Sequence, residues 1–171
     1  LSDKYPDQCY PMMGLHPCSV KENYKEELAV VDQWLEKRKF WGIGEVGLDF
    51  YWDKTFHVEQ YECLRHQVEL SIKYKLPLII HSRNANTELV ETLNEYKNKN
   101  IFGLFHCFSD TYEVAMKLLG LGNFKLGIGG IITYKNTTLR EVIGRVGVEH
   151  IVLETDSPYL APEPARASSL P

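Results

Sequence analysis

Short apolar runs alternate with amphipathic segments along nearly all of this 171-residue chain, and most of the runs lead into a residue able to bind a metal or move a proton. Run 10–15 (YPMMGL) closes on His16-Pro17, where the proline pushes His16 out of helical space. Run 41–48 carries Glu45. Run 76–80 (LPLII) leads into His81, run 101–105 (IFGLF) into His106, and run 150–153 into Glu154 and Asp156. Run 124–128 ends on Gly129 and Gly130. Between them, segments 22–39, 56–75, 86–97, 111–120 and 137–145 read as helices. Leu28, Val31, Trp34 and Leu35 fall on one face of the first, and Tyr61, Leu64, Val68 and Ile72 on one face of the second. Ser109 or Asp110 is the expected cap of the helix over 111–120. Apolar runs of about five residues alternating with helices signal β/α units around a parallel sheet buried on both faces.

In an open doubly wound sheet, functional residues gather at one switch point. Here they lie on five different strands and converge only if the sheet curls. The predicted fold is therefore α/β, a (β/α)8 TIM barrel with its site on the C-terminal face. It is incomplete, with about six of the eight units present. Residues 1–162 form the expected domain. The small, polar, proline-rich stretch 163–171 is expected to be a disordered tail.

The apolar share of 44% and charged share of 25% fit a soluble globular protein. A net charge of −4 argues against a broad basic surface for nucleic acid, but not against a local site whose positive charge comes from metal ions. Cys9, Cys18, Cys63 and Cys107 are scattered without a C-x-x-C pair and read as reduced thiols of a cytoplasmic protein. No apolar run is long enough to span a membrane, and no membrane partner is expected.

A lone His or carboxylate on such a strand is ordinarily a hydrogen-bonded structural residue. Glu45, His81, His106 and Asp156 together, expected at equivalent C-terminal ends of four strands, fit mixed N/O ligation of one or two divalent ions such as zinc, magnesium, manganese or iron. A carboxylate can bridge two ions, and a strand-end Asp can both ligate and hold a water. Gly44 and Gly47 are expected to leave space beside Glu45 for backbone or ligand.

The segments Gly14-Leu-His-Pro17, Gly44-Glu-Val-Gly-Leu-Asp49, Ile80-His-Ser-Arg-Asn-Ala85, Phe105-His-Cys-Phe-Ser109 and Leu153-Glu-Thr-Asp-Ser-Pro-Tyr-Leu160 resemble the TatD family of metal-dependent deoxyribonucleases, in the amidohydrolase superfamily. The resemblance covers about residues 3–162. It implies a divalent-metal nuclease acting on DNA, single-stranded or at 3′ ends. It implies Glu45 as the bridging carboxylate, His81 and His106 as ligands of one ion, and Asp156 as ligand of the other and base toward water. His16 and Arg83 match positions near the substrate phosphate, and Glu154 a group supporting the ligands or facing substrate.

The family's opening His-x-His strand, which ligates the ion on the Asp156 side, has no counterpart in this sequence. The chain alone is therefore expected to bind at most one ion well and to cleave DNA weakly or not at all. The open strand edges of a partial barrel would be free to pair with another chain. Two other readings stand beside the nuclease: an amidohydrolase-type enzyme cleaving amides or esters, and a non-catalytic fragment that binds metal or DNA. His57, His66 and His150 are expected not to be ligands. Asp49 reads as structural, and the glycines at 127, 129 and 130 as tight packing rather than a phosphate loop. Phe50, Tyr51 and Trp52 read equally as base-stacking groups or as a loop packed on the barrel rim.

Overall fold

The computed structural model describes residues 1–53 and 55–164, so most of the predicted tail, residues 165–171, lies outside the described residues. Five strands follow chain order in one sheet, β1 (Ile43–Asp49), β2 (Leu78–Arg83), β3 (Phe102–Phe105), β4 (Asn123–Ile128) and β5 (Ile151–Leu153). The chain divides into two compact units, Leu1–Gly103 and Leu104–Pro171, with the boundary inside β3.

In the first unit, β1 and β2 pair in parallel, and the helices α1 (Tyr24–Lys37), α2 (His57–Tyr74) and α3 (Asn86–Asn94) fill the intervals. Ile43, Val46, Leu48, Leu64, Val68, Leu78, Ile80, Leu89 and Leu93 are buried. Each such side chain stabilises by about 1.5–3 kcal/mol relative to leaving it exposed. The predicted faces of the helices are shifted slightly. Trp34 is half-exposed, with Lys37 Nζ 5.8 Å from its ring centroid, because it sits at the margin of the stripe formed by Leu28, Val31 and Leu35.

Run 10–15 is not a sixth strand. It makes a single parallel bridge, Met13 to Ile43, with Met13 N–H donating to Gly42 O and Gly44 N–H donating to Met13 O. Pro11 accepts from Trp41 N–H at 2.9 Å but has no N–H to return, so the ladder cannot extend.

The side chains that position this run come from α2. Gln67, fully buried, accepts from Leu15 N–H (2.6 Å) and donates to Leu15 O (3.2 Å). Seven residues earlier, Gln60 makes the same pair of bonds to Asp49, accepting from its N–H (2.8 Å) and donating to its carbonyl (3.1 Å). Two helical turns of α2 thus supply the hydrogen bonds that a neighbouring strand would supply.

In the second unit, β4 and β5 pair in parallel, and α4 (Tyr112–Leu119) and α5 (Leu139–Val146) supply apolar faces built on Ala115, Leu118, Leu139 and Val142. The cap of α4 is Thr111, whose Oγ1 accepts from Val114 N–H at 3.3 Å, and not Ser109 or Asp110; the Asp110 carboxylate accepts instead from Thr111 N–H. β5 departs from the expectation of a doubly buried strand: Val152 and Leu153 are exposed. Among the described residues, no helix is long and apolar enough to cross a membrane.

Candidate active site

Glu45 does not end its strand. It lies in the middle of β1, where the register slips: Gly44 pairs with Ile79 and Val46 with Ile80, so Glu45 is the extra residue of a bulge. A bulge turns one side chain out of the regular alternation, and here that side chain is a carboxylate. The glycines beside it do not leave open space. A Cβ on Gly47 would stand 1.9 Å from His81 O, and Gly47 has φ +145°, so it is the backbone of β2 that needs the room.

His81 is the residue paired with Gly47, two positions before the end of β2. Its Nε2 lies 2.8 Å from Asp49 Oδ2. His16, held at the end of the bridging run, has its Nε2 3.5 Å from Glu45 Oε2 and its ring 4.5 Å from that of His81. His16 Nδ1 accepts from Cys18 N–H at 3.1 Å, which leaves the proton of the neutral ring on Nε2. Donor atoms of His16, Glu45 and His81 all lie within 4.8 Å of one another. His81 and Glu45 offer the nitrogen and carboxylate donors that zinc, manganese or iron take, with the His16 ring beside them.

Asp49 proves to be more than a turn residue. It is 2% exposed, and its Oδ1 accepts from Tyr51 N–H (3.0 Å) and Trp52 N–H (3.3 Å) while its Oδ2 takes the His81 proton. Burial alone would raise its pKa; the bonds from His81 and from the two N–H groups outweigh burial and hold it below the usual carboxylate range. An ionised carboxylate on one ring nitrogen fixes the His81 tautomer and keeps a lone pair on Nδ1 for a metal. Burial, followed by the same Asp49 charge, pushes the Cys18 thiol up to about 11.

The second unit holds another group. His106 Nδ1 lies 2.8 Å from Glu154 Oε2, and its Nε2 lies 3.3 Å from Asp156 Oδ1. Glu154 Oε1 accepts from Cys107 N–H. Donor atoms of His106, Cys107 and Glu154 also cluster within 4.8 Å. Glu154 faces Nδ1 of His106, and Nε2 is the nitrogen on the Asp156 side. The Cys107 and Glu154 hydrogen bonds, in that order, prevail over burial and push the His106 imidazole up to about 11, so a metal bound there displaces a proton. Gly127 makes room for this arrangement, since a Cβ on it would overlap the Glu154 carboxylate at 2.3 Å.

Of the predicted site residues, then, the first unit brings together His16, Glu45 and His81, with Arg83 at the end of β2, and the second brings together His106, Glu154 and Asp156. Cys107 as a donor and the His81 contact of Asp49 are not readable from the sequence, since both depend on how the strands register against one another. His57 stacks on Phe50 at 3.9 Å and His66 pairs with Asp32 at 3.0 Å, so both serve packing and surface pairing.

The profile of the TatD related DNase family matches residues 1–171. The chain belongs to the TatD family. It is 36% identical over 161 residues to the uncharacterized metal-dependent hydrolase YabD of Bacillus subtilis, covering 94% of this chain and 63% of YabD. It is 34% identical over 154 residues to the uncharacterized metal-dependent hydrolase YcfH of Escherichia coli, covering 90% of this chain and 57% of YcfH. Among solved structures, the TatD homolog YjjV of Escherichia coli superposes with a TM-score of 0.86 at 31% identity, covering 95% of this chain and 63% of that one. A TatD family hydrolase of Entamoeba histolytica gives 0.75 at 27% identity, covering 93% of this chain and 55% of that one. The α/β fold is thus that of TatD barrels, and this TatD chain spans about three fifths of the length of the relatives it matches.

Proposed function

We propose that the chain carries the catalytic residues of a divalent-metal-dependent phosphodiesterase acting on DNA. The observation that supports this most is the meeting of His16, Glu45 and His81 within 4.8 Å, with Arg83 two residues beyond His81 on β2. In this reading Glu45, His81, His106 and Asp156 are the metal ligands. A bound divalent ion supplies Lewis acidity toward a phosphoryl oxygen and toward water.

The chain's own residues do the rest. Asp49 holds the His81 ring, and Glu154 holds the His106 ring, each through one ring nitrogen. Asp156, with its carboxylate about one-third exposed, is reached by water and takes the proton of the attacking nucleophile. Arg83 offers a fork of N–H donors to the phosphate. His16, with Nδ1 engaged by Cys18 N–H, directs its Nε2–H toward the same side as Glu45.

The test is cleavage of 3′-labelled single-stranded DNA with manganese, magnesium or zinc and with chelator. Weak metal-dependent cleavage by this chain, lost in Glu45→Gln with the fold retained, is the expected result. Cleavage that persists in Glu45→Gln, or in chelator, would overturn the assignment.

A further inference from the structure

The loop after β1 carries three consecutive aromatic residues that the metal cluster does not use, and they divide sharply. Phe50 turns inward, stacked on His57 at 3.9 Å and tilted against Tyr61 at 5.9 Å. Tyr51 and Trp52 turn outward and are 48% and 66% exposed. The two rings meet edge to face at 4.8 Å and 88°. The Arg83 guanidinium lies 3.8 Å from the Tyr51 ring centroid and 5.1 Å from that of Trp52. The expectation of a loop packed on the rim therefore holds for Phe50 alone.

This outward group is tied to the site by backbone. Phe50 N–H donates to Arg83 O at 2.9 Å, and Asp49 pairs with Arg83 across β1 and β2. Asp49 Oδ1 accepts from the N–H groups of both Tyr51 and Trp52, while its other oxygen holds His81. One carboxylate thus holds a ligand candidate and the backbone that carries the two exposed rings.

We propose that Trp52, backed by Tyr51 and Arg83, is a stacking platform for an unpaired base of single-stranded DNA, with Arg83 on the adjoining phosphate. The proposal rests on the nuclease reading above. Arg83 already covers a face of Tyr51, so Trp52 is the ring left to take a base. A base inside a duplex has both faces covered by its neighbours, so only an unpaired or terminal base can use this surface. Stacking tolerates any base, and the guanidinium adds charge without reading sequence. The platform selects strand state and leaves base identity open.

The test is anisotropy of a dye-labelled single-stranded oligodeoxynucleotide with the full chain in EDTA, where binding is read apart from cleavage. Trp52→Ala should weaken binding about tenfold, and Trp52→Phe should restore most of it. An oligonucleotide with abasic sites at its unlabelled end should bind wild type more weakly by a similar factor, and should not distinguish wild type from Trp52→Ala. Equal binding by wild type and Trp52→Ala, equal binding of intact and abasic strands by wild type, or no binding by wild type each overturns the platform. Cleavage by wild type in manganese is scored separately. Stacking-dependent binding beside cleavage that persists in Glu45→Gln or in chelator keeps the platform and sinks the nuclease reading, and Glu45- and metal-dependent cleavage without stacking-dependent binding does the reverse.

Discussion

His81 Nε2 stands 2.8 Å from Asp49 Oδ2, and that contact decides which nitrogen of His81 can serve a metal. Asp49→Asn keeps the size of the side chain and an oxygen for the Tyr51 and Trp52 N–H groups, but removes the charge. Metal affinity should fall about 10–100-fold, the usual cost of losing such a supporting carboxylate. Titration calorimetry with manganese or zinc checks this, and an unchanged affinity would show that Asp49 serves the loop alone.

Gly47→Ala should destabilise the chain by about 3 kcal/mol or more. A methyl group would fall 1.9 Å from His81 O, on a backbone at φ +145°. Urea denaturation followed by circular dichroism reads the effect. A loss below about 1 kcal/mol would mean that β1 and β2 can separate at this point without cost.

Gln67→Leu is nearly the same volume but leaves Leu15 N–H and its carbonyl buried without their partner. An expected loss of about 1–3 kcal/mol follows. Gln60→Leu should behave alike, through Asp49. The two losses should add, since they concern separate stretches of backbone.

These glutamines mark the limit of what the sequence discloses. Among the described residues, the alternation of apolar runs and helices located the five strands and five α-helices to within a few residues, because the burial of the sheet's inner strands is written into the sequence pattern. Which polar residues are buried is not written there. Gln60 and Gln67 lie on a helix beside Cys63, Leu64 and Val68, and an apolar periodicity scheme sees them only as interruptions. The candidate residues His81, His106, Glu154 and Asp156 were legible because each follows or closes an apolar run, whereas Glu45 lies within its strand and His16 follows a run that makes only one bridge. The bulge at Glu45 was not legible, since register depends on the partner strand. The missing ladder of run 10–15 was in principle readable from Pro11 alone.

The Arg65 guanidinium donates through Nε and an Nη to both Glu95 oxygens, at 3.0 and 2.7 Å. That bonding, against a slight cost of burial, holds Glu95 below its ordinary carboxylate pKa. The stabilisation is therefore present in full above the ordinary value and is lost as pH falls through the lowered one. Both groups are more than one-third exposed, so solvent screens the pair, and Arg65→Met should cost below about 1 kcal/mol. Denaturation at neutral and acidic pH, in low and high salt, should show the difference from wild type shrinking in acid and in salt.

Glu45 and His81 are proposed to hold a divalent ion, with His16 beside them. The most direct measurement is divalent-metal binding to wild type, Glu45→Gln and His81→Ala by titration calorimetry, with circular dichroism to confirm the fold. Saturable binding of at least one ion per chain by wild type, weakened tenfold or more in both variants, is the predicted result. Equal affinity in wild type and both variants, or no binding by a folded wild-type chain, would contradict it.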